Sequence, residues 1–143
     1  PDIEQLIADL DASSWITLAG RVSDAELLRL YRQAWVVASA SIAEGWGMTL
    51  TEAAACGTPS LATRIAGHAD SVADGKSGLL ASTHREFVEH LIRILSDAEV
   101  RERLSKGARE FASAFTWDNT ALGVFEPLAE VALRQRRSGA GRS

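Results

Sequence analysis

The sequence predicts an α/β fold built on a mostly parallel sheet. Short β-rich runs alternate with amphipathic runs of about ten residues, the pattern of strand–helix–strand units. The run WVVASAS, from Trp35 to Ser41, is almost continuously apolar, as a parallel strand buried on both faces would be. Its successor helix closes with Gly57 and, two residues on, Pro59, the usual punctuation of a helix C-terminus.

Each element follows in order. IEQLIADLDA reads as the tail of an amphipathic helix, with Ile3, Leu6, Ile7 and Leu10 recurring at helical spacing. WITLAG is expected as a strand ending at Gly20. Ser23 or Asp24 should cap a helix over AELLRLYRQA, whose apolar face carries Leu27, Leu28, Leu30 and Tyr31. After the WVVASAS strand comes a helix from Met48 to Cys56, then a strand at Ser60–Thr63. A short helix around Ala69–Ala73, a turn at DGKSG and a strand at GLLA follow. The rest is helical, over Arg85–Leu95, Val100–Phe115 and Asp118 to about Arg134, with Asp97 and Thr116 placed as caps. The expected sheet therefore has four strands.

The chain has 143 residues, enough for one domain or a large piece of one. We expect the folded part to span residues 1–137 and a disordered tail to span 138–143, where SGAGRS is of low complexity. A net charge of −4 argues against general affinity for nucleic acid or an anionic membrane surface. The basic cluster of Arg134, Arg136, Arg137 and Arg142 reads as a solvated helix end and tail. Cys56 is the sole cysteine, so no internal disulfide forms, and it is expected as a small core residue. No histidine–cysteine cluster offers metal ligands. No apolar run is long enough to span a bilayer, and PDIEQ lacks the pattern of a secretory signal, which makes a cytoplasmic setting the default.

The chemistry concentrates in AEGWGMTLTEAAACGTP, Ala43 to Pro59. Parallel sheets bind ligands beyond the carboxyl ends of their strands, and this stretch begins there. A helix starting near Met48 would turn its free N–H groups and positive dipole end toward the crevice, a ready anion site. Gly45 and Gly47 would let the backbone approach a phosphate closely. Glu44 and Glu52 bracket the turn, and carboxylates accept paired sugar hydroxyls well. On spacing alone the plainer reading is favoured, with Glu44 a solvated loop residue and Glu52 a first-turn acid that complements the helix dipole. A dinucleotide fingerprint would need glycine where Leu50 stands, which disfavours a nicotinamide dehydrogenase.

Glu-x7-Glu embedded in EGWG, followed by EAAACGTP, resembles the signature of the nucleotide-binding C-terminal domain of family 4 glycosyltransferases, the large retaining group of GT-B architecture. ITLAGRVSDAELLRLYRQA, AGHADSVADGKSGLLA and LSDAEVRERLSKGAREFASAFTWDN extend the resemblance over nearly the whole chain. It implies a Rossmann-like domain that lacks its first strand and most of its first helix here. It implies binding of a nucleotide-diphosphate sugar for retaining hexosyl transfer, with Glu44 as the catalytic carboxylate. Glu44, Gly45, Trp46, Gly47, Met48 and Thr49 would meet the sugar and phosphates, and Glu52 the ribose. Neither metal nor cofactor is implied. The acceptor, a sugar, lipid or small molecule, is left open.

Three departures from the family pattern stand out. Trp46 replaces the usual phenylalanine and is expected as a packing wedge under the loop. AGHAD stands where the family has paired glycines followed by glutamate, so the carboxylate at that place is the shorter Asp70. His68 is expected as an exposed helix-start residue with no acid–base role, and His84 and His90 likewise. Family members also carry an Arg and a Lys upstream of the LAG strand that neutralise the diphosphate. This chain begins after them, and Arg21 and Arg64 do not match their positions. The N-terminal acceptor-binding domain is likewise expected to lie outside this chain, whose parent could be peripheral to a membrane. The isolated chain is therefore expected to be inactive. The alternative is a non-catalytic partner module that self-associates through an exposed sheet edge. A phosphatase-like or response-regulator-like domain would need acidic metal ligands at strand ends, and the sequence has no such cluster.

Overall fold

A strand forms only where a neighbour completes its hydrogen-bond ladder, and that requirement decides which β-rich runs of this chain become strands. The computed structural model describes residues 2–139. They fall in two compact units, Pro1–Leu30 and Tyr31–Ser143. In the first, α1 (Ile3–Asp9) starts where Asp2 accepts the Glu4 N–H at 3.4 Å. A turn through Asp11, at φ 50°, leads to Ala12, which is fully buried.

WITLAG is not the expected strand. Trp15–Gly20 forms turn and irregular backbone outside the ladder, and Trp15 is 75% exposed. Its β propensity reflects side chains that fit a pleated, half-buried surface, and without a paired neighbour that preference has nothing to act on. Helix α2 (Asp24–Gln33) begins as expected, with Ser23 Oγ accepting the Glu26 N–H at 3.3 Å.

The second unit is built on three parallel strands in the order β1 (Val37–Ser39), β2 (Ser60–Thr63), β3 (Gly78–Ala81), so among the described residues the sheet has three strands, not four. Val37 pairs with Ser60, and Ser60 with Gly78. A Cβ on Gly78 would lie 2.2 Å from the Ser60 carbonyl oxygen, so only glycine lets β3 sit at this register. The expectation of a strand buried on both faces belongs to β2 and β3. β1 is an edge, and its middle residue Ala38 is exposed.

Strand alternation sends successive side chains to opposite faces and so makes two cores. Leu61 and Leu79 join Ile94 of α5 (His84–Ser96) and Val100 and Leu104 of α6 (Ala98–Ala112). Ala62 and Leu80 join Leu50 of α3 (Met48–Ala55) and Val72. Thr83 and Asp97 cap α5 and α6, each accepting a backbone N–H three residues on. Gly57, at φ 81°, follows α3 as the C-terminal pattern requires, and Cys56 beside it is half-buried rather than a core residue. The short helix α4 (Ala66–Ser71) starts three residues earlier than expected, because Ile65 and not the AGH run forms its extended entry.

Helix α7 (Trp117–Gly139) is capped by Thr116, whose Oγ1 accepts the Asn119 N–H at 3.1 Å. It reaches past the expected end near Arg134, and Ser138 and Gly139 are its last residues. Residues 140–143 of the expected tail lie outside the described residues. Within the basic cluster, Arg134 pairs with Glu130 at 2.5 Å. The side chains of Arg136 and Arg137, and all of Arg142, lie outside the described residues.

Two consequences for stability follow from β2 and β3. Among the described residues Ser60 Oγ is buried without a hydrogen-bond partner, so Ser60→Ala should leave stability unchanged or raise it by about 1 kcal/mol in urea denaturation. Asp74 anchors the turn into β3 by pairing with Arg64 and accepting the Leu80 N–H at 3.0 Å. Partial burial opposes its ionisation, but the Arg64 and Leu80 hydrogen bonds, with the Arg64 and His90 charges, outweigh that and hold the carboxyl below its usual 3.8. Its contribution is full above pH 3.8 and fades as pH falls through the lower folded value. Asp74→Asn should flatten that acid limb in stability measured against pH, and a limb as steep as the wild type's would contradict the assignment.

Candidate functional site

β1 runs into the loop that carries the acidic pair, so the site grows from the strand's carboxyl end. From Ser39 the chain passes Ser41 and Ile42, the latter 95% exposed, and reaches Glu44. Glu44 is exposed, and its Oε1 accepts the Gly45 N–H at 3.2 Å. Gly47 caps α3 in the left-handed conformation, φ 82° and ψ 57°, and no side chain caps the helix. The first N–H groups of a helix have no partner within it, so this end offers donors and positive potential toward the crevice. Gly47 is confined as well as strained: a Cβ there would stand 3.2 Å from His68, Leu50 and Ser71 atoms.

Glu52 sits one turn into α3 and is exposed. The Tyr31 hydroxyl donates to its Oε2 at 3.1 Å. Burial first, and then the Glu52 carboxylate beside it, push the Tyr31 hydroxyl up to about 12. Tyr31 is in turn held by its backbone, whose carbonyl accepts from the buried Thr58 hydroxyl. The sequence placed Tyr31 only on an apolar helix face. A hydroxyl at the end of that face was the available signal for its role.

Trp46 packs edge-on against Phe115, with ring centroids 5.6 Å apart, and Phe115 packs the same way on Phe111. Met48 and Thr49, the first residues of α3, are exposed beside it. Gly67 of α4 lies against the loop, since a Cβ there would come within 2.3 Å of the Glu44 carbonyl oxygen. His68 is not the exposed residue expected. It is 1% exposed, because the helix begins at Ala66 and turns the ring inward against β1 and β2. Asp70 on the same short helix is exposed, and His84 lies on the exposed start of α5.

Two cavities mark the opposite ends of the sheet. One of about 500 Å³ lies beyond the carboxyl ends of all three strands and is lined by Ser41, Ile42, Thr63, Ile65, Ala81 and Phe87. The other, of about 300 Å³, opens at the amino ends of β1 and β2, where Trp35 lies under the Arg101 guanidinium at 4.1 Å. Glu44 lies on the loop that leaves β1 at the first end, and neither Glu44 nor Glu52 lines either cavity. Among the described residues no group of histidine, cysteine and carboxylate side chains is arranged to hold a metal ion. No described helix is long and apolar enough to cross a membrane.

The sequence model of glycosyl transferases group 1 matches residues 2–111, which include every site residue expected above. The chain belongs to this family. A D-inositol 3-phosphate glycosyltransferase of Stackebrandtia nassauensis is 36% identical over 146 aligned positions, which cover 98% of this chain and 33% of that enzyme. The chain thus spans about a third of the length of that relative. Sucrose-phosphate synthase from Thermosynechococcus elongatus superimposes with a TM-score of 0.79 at 28% identity, over 92% of this chain and 34% of the synthase. Anabaena HepE in complex with UDP and glucose superimposes with a TM-score of 0.77 over 90% of this chain and 35% of HepE; at 23% identity it bears on the fold alone. The Rossmann-like α/β class expected from the sequence is therefore the one observed in this group 1 domain.

The group 1 domain contains a single tyrosine, which makes the Tyr31–Glu52 contact directly measurable. Followed by near-ultraviolet absorbance, tyrosinate formation should centre near pH 12 in the folded chain and near pH 10 after denaturation. Glu52→Gln should lower the folded value while burial keeps it above 10. With the folded value raised, stability from this group is present below pH 10 and lost as pH rises through 12. A folded midpoint at pH 10 would show the hydroxyl to be free in solution.

Proposed function

We propose that this chain is the donor-binding part of a retaining glycosyltransferase and holds a nucleotide-diphosphate sugar at the carboxyl end of β1. The observation that carries the reading is the glycine-capped start of α3, flanked by Glu44 on its entry loop and Glu52 one turn inside. In this reading the diphosphate lies over Gly45 to Thr49 and accepts hydrogen bonds from the helix start. Glu52 accepts the ribose hydroxyls, its second oxygen aligned by Tyr31. Glu44 meets the hexose and acts as the catalytic carboxylate that stabilises positive charge developing at the sugar. No metal is required, because the leaving diphosphate is neutralised by hydrogen-bond donors and, in the family, by an Arg and a Lys.

Membership of the group 1 family and the glycosyltransferase relatives support the reaction class. Two proteins that share the fold are bound to UDP with a hexose, glucose in HepE and GlcNAc in a pneumococcal O-GlcNAc transferase, which makes a UDP-hexose the first donor to test. Relatives named for D-inositol 3-phosphate make a phosphorylated polyol the first acceptor to test. The setting we infer is cytoplasmic, where nucleotide sugars are made.

Calorimetric titration of the chain with UDP-glucose and with UDP tests the reading. Glu52→Gln should weaken both ligands by about tenfold, the loss of one charge-assisted hydrogen-bond acceptor. Glu44→Gln should weaken UDP-glucose alone. The chain by itself should bind without transferring, and turnover of labelled donor by the purified 143 residues would refute that part. A second reading, a partner module, draws on β1, which pairs with β2 alone among the described residues. Concentration-dependent association in sedimentation, abolished by a lysine at Ala38, would favour it.

A further inference from the structure

We propose that His68 is a positioning residue of the donor site, acting through a closed ring of hydrogen bonds that fixes where β1 releases the Glu44 loop. The inference rests on the donor reading above. It begins with an atom that has one possible role. His68 Nδ1 lies 2.9 Å from the Thr63 carbonyl oxygen, which only accepts, so Nδ1 carries the hydrogen. In a neutral imidazole Nε2 then has a lone pair, and Ser39 Oγ, at 3.3 Å, must donate to it.

The direction of the remaining bonds follows. With its hydrogen committed to His68, Ser39 Oγ accepts from Ser41 Oγ at 3.2 Å. Thr63 Oγ1 donates to the Ser41 carbonyl, which closes the circuit, and its lone pair faces the His68 Nδ1–H at 3.2 Å. Two carbonyls, those of Thr63 and Ser41, thus set the orientation of three hydroxyls at two strand ends. Ser41 is held by both its side chain and its carbonyl, three residues before Glu44.

The same α4 turn touches the loop at two further points. Gly67 lies against the Glu44 backbone, and the His68 ring lies under Gly47, where even a Cβ would come within 3.2 Å of it. His68 is buried, so it acts on the donor through the backbone of the loop and not by contact. The ring nitrogen facing Ser39 is the part of the side chain that packing alone does not require.

The test uses His68→Asn, Ser39→Ala and the double variant in the full chain, with UDP as probe. Asparagine keeps a donor for the Thr63 carbonyl and removes the acceptor facing Ser39 together with the ring carbons under Gly47, whereas Ser39→Ala breaks the same link and leaves the ring in place. Each single variant should weaken UDP binding by roughly tenfold. The double variant should be no weaker than either single, because both break the same link. Fraction folded, read by circular dichroism in the same buffer, should stay unchanged. Nitrogen-15 spectra of histidine-labelled chain should show one Nδ1-protonated imidazole that disappears in His68→Asn. Additive losses, an Nε2-protonated His68, or UDP affinity that falls only with the folded fraction would overturn the positioning role. Failure of the wild type to bind UDP would sink the donor reading first and this inference with it, whereas wild-type binding with unaffected variants would sink this inference alone.

Discussion

Everything in the second unit is arranged around the parallel pairing of β2 with both of its neighbours. A strand that must satisfy two ladders and bury two faces has almost no freedom of register, because a slip of one residue would exchange Leu61 and Ala62 between the cores. Gly78 tightens this further, since its bare Cα lets β3 come close to the Ser60 carbonyl. Once that register is set, the ends of all three strands are set, and with them the take-off points of the Glu44 loop, of α4 and of α5. The crevice is a by-product of the ladder.

Much of this was legible in the sequence for a physical reason. The helices α3 and α6 announce themselves through a glycine stop at Gly57 and a cap at Asp97, and local signals do not need the rest of the chain. Ser60–Thr63 and Gly78–Ala81 were legible because continuous apolar runs between turn residues have few other uses. WITLAG was misread because strand formation is not local: the run carries the right residues and lacks a ladder. β1 was misread for the related reason that an apolar run records affinity for burial without saying how many neighbours arrive to provide it.

The acidic pair was equally visible, and its surroundings were not. Tyr31 reaches Glu52 from 21 positions upstream, and His68 joins Ser39 across 29, so no window of sequence contains both partners. His68 illustrates the limit well. A histidine near a helix start in a polar run looks solvated, and a shift of the helix by three residues turned its ring into the strand ends. Hydroxyl-rich strand ends, Ser39, Ser41 and Thr63, were the hint that a buried polar side chain had somewhere to bond.

A helix capped by glycine in the left-handed conformation is short of the side-chain acceptor that would ordinarily steady its first turn, a deficit of roughly a few tenths of a kcal/mol. Whatever anion seats itself there supplies the missing acceptor. Occupancy and thermal resistance then rise together, and the melting temperature becomes a gauge of how full the crevice is. No side chain can make good that deficit from within, because the left-handed backbone at Gly47 and the 3.2 Å approach of His68, Leu50 and Ser71 atoms leave no room for a Cβ at the cap. The weakness of that first turn is what keeps the place open.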